Sequence, residues 1–300
     1  MTPFLKLVAD DLYRKLGGNF QDTCIIFPNK RASLFFTEYL WSNSNGETMW
    51  TPEYTSISEL FASLSDYTTG DSIFLVLKLW EVYREKMQPT KPLDQLYALM
   101  ETMLSDFQDI DNNMVDPSKL FLNIAELKEM TDFSFLEDEQ REAIELFFGK
   151  FFTERNANTP LKSQFKTLWN KMTELYEAYQ AALLDTEEEP MLYEGMLKRK
   201  VVEALTGKDE DARMRMDARL SAKTYVAVGF NVLNKTEMEL FRYIKQNRDA
   251  KFYWDYDIAY TKPFIHNGER GTKRPEGVLS KYEAGQFILE NIRLLGNEFE

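Results

Sequence analysis

The order of strand and helix patterns along the chain constrains its fold most. Two stretches alternate strand and helix patterns, and the residues between them have helical patterns alone. In the first stretch, Thr23–Phe27 is a short, β-branched, apolar run closed by Pro28, which is typical of a buried strand. Residues 30–41 then carry apolar side chains at helical spacing, and residues 50–55 are again extended. A strand pattern returns at residues 223–230. Alternation of this kind predicts an α/β fold with a parallel sheet.

Several of the expected helices carry their own boundary signals. The first, Phe4–Leu16, is amphipathic and stops at Gly17, since glycine readily adopts the left-handed conformation that ends helices. Ser56, with Glu59 three residues later, forms the capping-box pattern of a helix start. Asn234 is a second candidate for the N-cap of a helix. These signals predict where helices begin and end around the sheet.

The middle of the chain, residues 70–220, is expected to be a large all-helical insertion in the α/β domain. Its apolar residues recur at helical spacing. The predicted helices are Ser72–Met87, Leu93–Phe107, Pro117–Glu129, Glu137–Thr153, Leu161–Leu184 and Tyr193–Leu205. Residues 1–69 and 221–300 then form the two parts of the α/β domain. Because no strand pattern follows the last predicted helix, Lys281–Leu295, we expect the chain to be a truncated part of a larger protein.

The excess of negative charge is concentrated in one segment of this insertion. Of the formal net charge of −13, residues 94–154 contribute most, with 15 acidic and four basic side chains. A surface of this sign repels phosphate backbones, so a nucleic-acid groove is not expected there. Two interpretations stay open: a solvated helical face, or an acidic docking surface for a basic partner.

The sequence lacks the signals of membrane insertion and export. No run reaches the roughly 20 apolar residues that a membrane helix needs. The N-terminal helix carries charges along its length, unlike a signal peptide. The protein is therefore expected to be cytoplasmic. Its one cysteine, Cys24, lies in an apolar run and is expected to be a buried small hydrophobe.

Motifs for catalysis are missing as well. No segment has the spacing G-x-x-x-x-G-K-[ST] of a phosphate-binding loop. With His266 as the single histidine, histidine-based triads and multi-histidine metal sites are excluded. Asp255 and Asp257 are expected to face one side of a strand, where a hydrogen-bonding role is favoured over metal binding. No catalytic residue, metal ligand or cofactor is therefore predicted for this chain.

Three segments occur in an order that resembles a known family. They are Ile25–Phe36, Tyr54–Leu60 and Val226–Glu237. Together they resemble the N-terminal region of AddB-type helicase/nuclease subunits. More closely, they are similar to the Bacteroidetes-type proteins described as PD-(D/E)XK nucleases with an inactivated superfamily-one helicase region. The resemblance spans nearly the whole chain, and it implies a parallel, P-loop-like sheet of the helicase type.

The resemblance also implies roles for two of these segments. The residues after the first strand correspond to an early helicase motif that touches single-stranded DNA. Val228, Gly229, Phe230 and Asn231 correspond to a vestigial Walker B region, in which Val228 stands where an aspartate would hold magnesium. The Walker A loop is missing, so ATP hydrolysis by this chain is not expected. The nuclease domain of the family lies beyond Glu300, so Mg²⁺ is expected only there.

Asn29, Lys30 and Arg31 are the candidate DNA-binding residues of this chain. They follow the first expected strand at its carboxyl end, where open α/β sheets bind ligands. They combine two cations with the N–H groups of a helix start, and both features attract a phosphate. The alternative interpretation is an ordinary charged helix start.

Two functions follow from these observations. In the first, the chain is a non-catalytic, helicase-like scaffold region of a DNA repair and recombination helicase–nuclease subunit, and contributes to DNA binding or subunit assembly. The whole protein would then be a PD-(D/E)XK exonuclease. In the alternative, the chain is a protein-interaction platform whose acidic insertion binds a helicase partner subunit without direct DNA contact. A stand-alone enzyme is disfavoured because no constellation of residues supports one.

Overall fold

The computed structural model describes residues 2–120, 171–186, 189–261, 280 and 282–299. The chain divides into two compact units, one of residues 1–66 with 196–300 and the other of residues 67–195. The expected insertion, by contrast, extended to residue 220. The difference arises because residues after 195 bond to the sheet-containing unit. One example is Arg219, which forms an ion pair with Asp66 and also donates to the Leu64 carbonyl.

A four-stranded parallel sheet organises the first unit. The strands of the described residues are β1 (Thr23–Phe27), β2 (Glu53–Ser56), β3 (Thr68–Thr69), β4 (Met191–Leu192), β5 (Thr224–Phe230) and β6 (Asp249–Trp254). The sheet has the order β2-β1-β5-β6, and all of its neighbouring strands are parallel. The prediction of an α/β fold with a parallel sheet is confirmed.

Helices cover this sheet and build most of the second unit. Within the described residues they are α1 (Phe4–Leu16), α2 (Arg31–Asn43), α3 (Ile57–Leu64), α4 (Ser72–Met87), α5 (Leu93–Asn112), α6 (Met172–Leu184), α7 (Glu194–Thr206), α8 (Glu210–Ala218), α9 (Lys235–Asn247) and α10 (Glu283–Leu295). Residues 117–120 are also helical. None of these described helices has the length and apolar character needed to cross a membrane.

Both faces of the sheet are buried, which explains why its central strands are apolar after the threonine with which each begins. On one face, Ile25 and Val226 stand side by side in register and belong to a core cluster with residues of α1 and α2. On the other face, the ring of Phe241 from α9 packs edge-on against Phe230 and Phe252, at centroid distances of 5.3 and 5.7 Å. Burial on two sides fixes the register of β1 and β5.

The helix ends follow the signals in the sequence. Gly17 has the left-handed φ of 61°, and its N–H donates to the Tyr13 carbonyl, which closes α1. Ser56 and Glu59 form a reciprocal capping box at the start of α3. Asn234 and Glu237 form another at the start of α9. These boundaries are local properties of a few residues, and the predictions for them are confirmed.

The second unit differs from the expected all-helical insertion. β3 and β4 form a short parallel pair, with Thr68 opposite Met191 and Thr69 opposite Leu192. The prediction of helices alone is therefore wrong for Met191–Leu192, because a two-residue strand leaves no periodic pattern to detect. Thr68–Thr69 lie just before residue 70, where the expected insertion begins. The predicted helix at residues 137–153 lies outside the described residues. So do most of the helix predicted at 117–129 and the first part of the one at 161–184.

A buried carboxylate holds the helices of this unit together. Asp111 of α5 is fully buried and accepts hydrogen bonds from the Tyr176 hydroxyl at 2.5 Å and from the Gln180 amide at 3.0 Å. The Tyr193 hydroxyl is a third donor to the same carboxylate. Burial raises the pKa of Tyr193 well above its ordinary value, so this hydroxyl remains a donor. Asp111 thus links α5, α6 and the segment between β4 and α7.

Candidate functional site

The carboxyl end of the sheet contains a topological switch point. From β1 the chain continues to β2 on one side, whereas β5 pairs with β1 on the other side and leads on to β6. The connections after β1 and β5 therefore leave in opposite directions. Open α/β sheets bind ligands outside the strand ends at such a point. The segments that flank it are residues 28–31 and 231–234.

Asn29 lies just before Lys30, the N-cap residue of α2, and its side chain bonds to the start of this helix. Its side-chain oxygen accepts a hydrogen bond from the backbone N–H of Arg31 at 3.1 Å. The carbonyl of Lys30 accepts from both the N–H and the hydroxyl of Ser33, at 3.2 and 2.7 Å. These contacts fix the first turn of α2 and hold residues 30 and 31 at its start. The sequence predicted Asn29 as a DNA contact, and in the structure its side chain accepts the Arg31 N–H at the helix start.

Lys30 is paired with an acidic side chain from a neighbouring helix. Its ammonium group forms an ion pair with Glu59 of α3, and the two side chains are 72% and 41% exposed. The bond from Lys30 lowers the pKa of Glu59, and the N–H of Ser56 lowers it further. One of the two predicted cations is therefore neutralised within the protein.

Arg31 is exposed like Lys30 but differs from it in its partners. Its guanidinium group has no ion-pair partner among the residues that the structure describes. It borders a cleft of about 280 Å³ between the carboxyl ends of β1 and β2. The other lining residues are Phe27, Lys30, Ser33, Leu34, Tyr54 and Thr55. The cleft thus combines two cations with a largely apolar lining, and the Tyr54 hydroxyl is buried behind it. The two cations are the groups that an anionic ligand would contact.

The segment predicted as a vestigial Walker B region lies at the end of β5. Val228 is fully buried in the core cluster and offers no oxygen to a metal ion. Gly229 has a φ of 77°, and the pairing between β5 and β6 is irregular at this point. Phe230 is buried and closes the strand. Asn231 follows it and is exposed.

Side chains from distant parts of the chain occupy the space beyond β5. The Asn231 carbonyl accepts a hydrogen bond from Asn291 of α10 at 2.9 Å, and Asn291 is itself buried. Lys198 of α7 forms a nearly buried ion pair with Glu237 at 3.2 Å. Its ammonium group also lies 5.5 Å from the ring centre of Phe61. Sequence reasoning missed these contacts because each joins residues far apart in the chain, and no local pattern reports such pairs.

The remaining acidic candidates do not form a site. β6 ends at Trp254, so Asp255 and Asp257 lie after the strand and do not share one of its faces as predicted. Asp257 accepts the N–H of Ala259 at 2.8 Å and thereby caps a turn. His266 lies outside the described residues. Within the part of the chain that is described, no cluster of three or more histidine, cysteine or acidic residues could hold a metal ion.

The fold and the site define a class of architecture and no more than that. The chain is an α/β protein with a parallel four-stranded sheet and a cation-bearing cleft at its carboxyl end. Comparison with known proteins finds no matching family model and no curated protein of significant similarity. Function must therefore be inferred from the site itself.

Proposed function

We propose that this chain is a non-catalytic, helicase-like scaffold region of a DNA repair and recombination helicase–nuclease subunit. In this proposal the start of α2 contacts a phosphate of DNA. The observation that carries it is the position of Arg31: an exposed guanidinium at a helix start, beside the switch point of a parallel sheet. Such a group attracts phosphate through its charge, and the positive end of the helix dipole adds to this attraction.

The sheet supports the helicase part of this proposal. Its order β2-β1-β5-β6 has the connectivity of a doubly wound sheet around β1 and β5. The segments that resemble the helicase family follow β1, β2 and β5, so all three lie at one end of the sheet. We infer that the sheet is a P-loop-like one that carries no phosphate-binding loop. We also expect the protein to act in the cytoplasm.

Several features support a scaffold over an ATPase. Val228 occupies the position where the family resemblance expects a magnesium-binding aspartate, and its side chain is packed in the core. Beyond β5, Asn291 bonds to the Asn231 carbonyl and Lys198 pairs with Glu237, so the segment after this strand is already engaged within the protein. Mg²⁺ would serve a nuclease domain elsewhere in the whole protein, and no residue of this chain is proposed to bind it.

The test is a double substitution, Lys30→Ala with Arg31→Ala, in the full chain. Its binding to a fluorescein-labelled oligo(dT) is measured by anisotropy at several salt concentrations. We expect affinity to fall by about tenfold at low salt, and the slope of log K against log salt to decrease by about 0.7 for each phosphate that is no longer neutralised. The matched control is Lys208→Ala with Arg215→Ala, which removes the same charge from exposed positions elsewhere. Equal affinity and slope in the two double variants would overturn the proposal.

A second function is favoured by the charge of the insertion. Residues 94–154 hold 15 acidic and four basic residues, a distribution suited to a basic protein partner. On α5, Asp94, Glu101 and Asp109 are exposed, so they can be neutralised without disturbing a core. If the chain is an interaction platform, Asp94→Asn with Glu101→Gln and Asp109→Asn should reduce co-purification of a helicase subunit and leave oligo(dT) binding unchanged. Retention of the subunit would disfavour this function.

A further inference from the structure

The geometry points to Glu59 as a specificity-determining residue of the same site: an internal carboxylate that competes with a phosphate for Lys30. This inference rests on the proposed function, since it concerns how the start of α2 selects its anion. It adds Glu59, a residue of α3, to the proposed DNA contact at the start of α2. It also gives a reason why this site would favour a chain of neighbouring phosphates over a single small anion.

Two independent contacts hold the Glu59 carboxylate in place. One oxygen accepts the backbone N–H of Ser56 at 3.2 Å, and the N–H of Glu59 donates back to the Ser56 hydroxyl at 3.3 Å. The other oxygen forms the ion pair with Lys30. The capping box therefore fixes the carboxylate at the end of β2, within reach of the lysine that follows β1. Its position does not depend on the ion pair alone.

This arrangement decides which anions the site favours. An anion that approaches Lys30 competes with Glu59 for the charge of its ammonium group, whereas Arg31 has no such competitor among the described residues. Exposed ion pairs contribute little to stability, so displacement costs little. A single small anion nevertheless gains little from the exchange. A chain of phosphates gains more, because one phosphate can bind Arg31 while the next replaces Glu59 at Lys30.

The same carboxylate could instead serve only to cap α3, and one substitution separates the two roles. Glutamine is accepted in a capping box as readily as glutamate, because its side-chain oxygen takes the same N–H. Glu59→Gln therefore keeps the cap and removes the charge opposite Lys30. A residue with a capping role alone would leave DNA affinity and its salt dependence unchanged in this variant.

The experiment measures oligo(dT) binding by anisotropy for the wild-type chain, Glu59→Gln and Arg31→Ala over a range of salt. Glu81→Gln is the matched control, because Glu81 also forms an exposed ion pair, with Lys78, and its substitution changes the net charge equally. We expect Glu59→Gln to bind about three- to fivefold more tightly at low salt. Its slope of log K against log salt should steepen by about 0.7, the value for one more neutralised phosphate of a single strand. Glu81→Gln should match the wild type.

The possible outcomes are distinct. If Arg31→Ala weakens binding while Glu59→Gln matches the wild type, the competition by Glu59 is refuted and the DNA contact stands. If Arg31→Ala, Glu59→Gln and the wild type all bind alike, the DNA contact itself is refuted, and this inference with it. If Glu81→Gln gains as much affinity for oligo(dT) as Glu59→Gln, the effect comes from net charge alone, and the inference is refuted. Inorganic phosphate provides one more readout: it should compete less well, phosphate for phosphate, than unlabelled oligo(dT).

Discussion

At the scale of single residues, the buried polar groups have the largest predicted effects. Asp111 is fully buried and accepts hydrogen bonds from Tyr176, Gln180 and Tyr193. A buried donor without its acceptor costs about 1–3 kcal/mol. We expect Asp111→Ala to lower the free energy of unfolding by about 3 kcal/mol, measured by urea denaturation. Asp109→Ala, on an exposed position of the same helix, is the control and should change it by at most about 0.5 kcal/mol.

The ion pair of Glu59 gives a prediction for pH dependence. Lys30 and the Ser56 N–H lower the pKa of Glu59 in the folded protein. A lowered pKa means that the stabilisation from this carboxylate is fully present above its unfolded pKa of about 4.3 and disappears as the pH falls through the folded pKa. We therefore expect Glu59→Gln to be less stable than the wild type at pH 6, with the difference diminishing as the pH falls below the unfolded pKa. Unfolding curves at each pH test this. A difference that grows on acidification would contradict the assigned ion pair.

At the scale of secondary-structure elements, the start of α2 contains two kinds of residue. Asn29 has a structural role, and Arg31 is proposed to bind DNA. The side-chain oxygen of Asn29 caps the Arg31 N–H at the start of α2, so Asn29→Ala should cost about 1 kcal/mol of stability, the net value of one hydrogen bond. Asn29→Asp keeps an acceptor at the cap and should retain most of that stability. Calorimetric melting of both variants is the measurement. Equal destabilisation by the two substitutions would exclude a capping role for Asn29.

What the sequence could predict at this scale depends on how local each signal is. The strand Thr23–Phe27 and the capping box at Ser56 are specified by a few adjacent residues, and both were predicted correctly. The β3–β4 pair was missed because Thr68 and Met191 are remote in sequence and each strand is two residues long. The ion pair between Lys30 and Glu59 was missed for the same reason. It depends on β1 and β2 being neighbours, which no local pattern shows.

The sequence predicted that the site lies at the carboxyl end of the sheet, but not which side chains meet there. The sequence placed residues 29–31 after a buried strand, and parallel pairing then brought the ends of β1, β2 and β5 to one side. Which side chains face one another there depends on the strand order. The structure accordingly shows three contacts that the sequence did not suggest. They are Glu59 with Lys30, Glu237 with Lys198, and Asn291 with the Asn231 carbonyl.

At the scale of the whole molecule, the net charge of the chain is negative, whereas the proposed DNA contact is positively charged. The net charge is −13, whereas the proposed contact depends on two cations, one of them already paired. Long-range repulsion then opposes the approach of DNA, and it is screened as salt rises, while the local contacts weaken with salt. Because the two effects oppose each other, neither the affinity at one salt concentration nor a single slope separates them. The difference in slope between a site variant and a control variant of equal net charge isolates the local contacts.

The division into two units predicts that each can be destabilised separately. The three donors to Asp111 all belong to the unit of residues 67–195, whereas Lys198 and Glu237 both belong to the sheet-containing unit. Removing one partner of a buried ion pair costs about 3 kcal/mol of stability, because the other charge is left without a partner. We expect Lys198→Ala to increase amide hydrogen exchange in β5 and α9, and Asp111→Ala to increase it in α5 and α6.

Exchange followed by mass spectrometry resolves these segments, and each variant is the control for the other. In Asp111→Ala, the amides of residues 24–27 and 225–228, which are buried in the central strands, should keep their wild-type protection. In Lys198→Ala, protection in α4 and α6 should be retained, because these helices pack on one another within the second unit. If either substitution raises exchange equally throughout the described residues, the two units unfold as one cooperative structure, and their separation is geometric without being energetic.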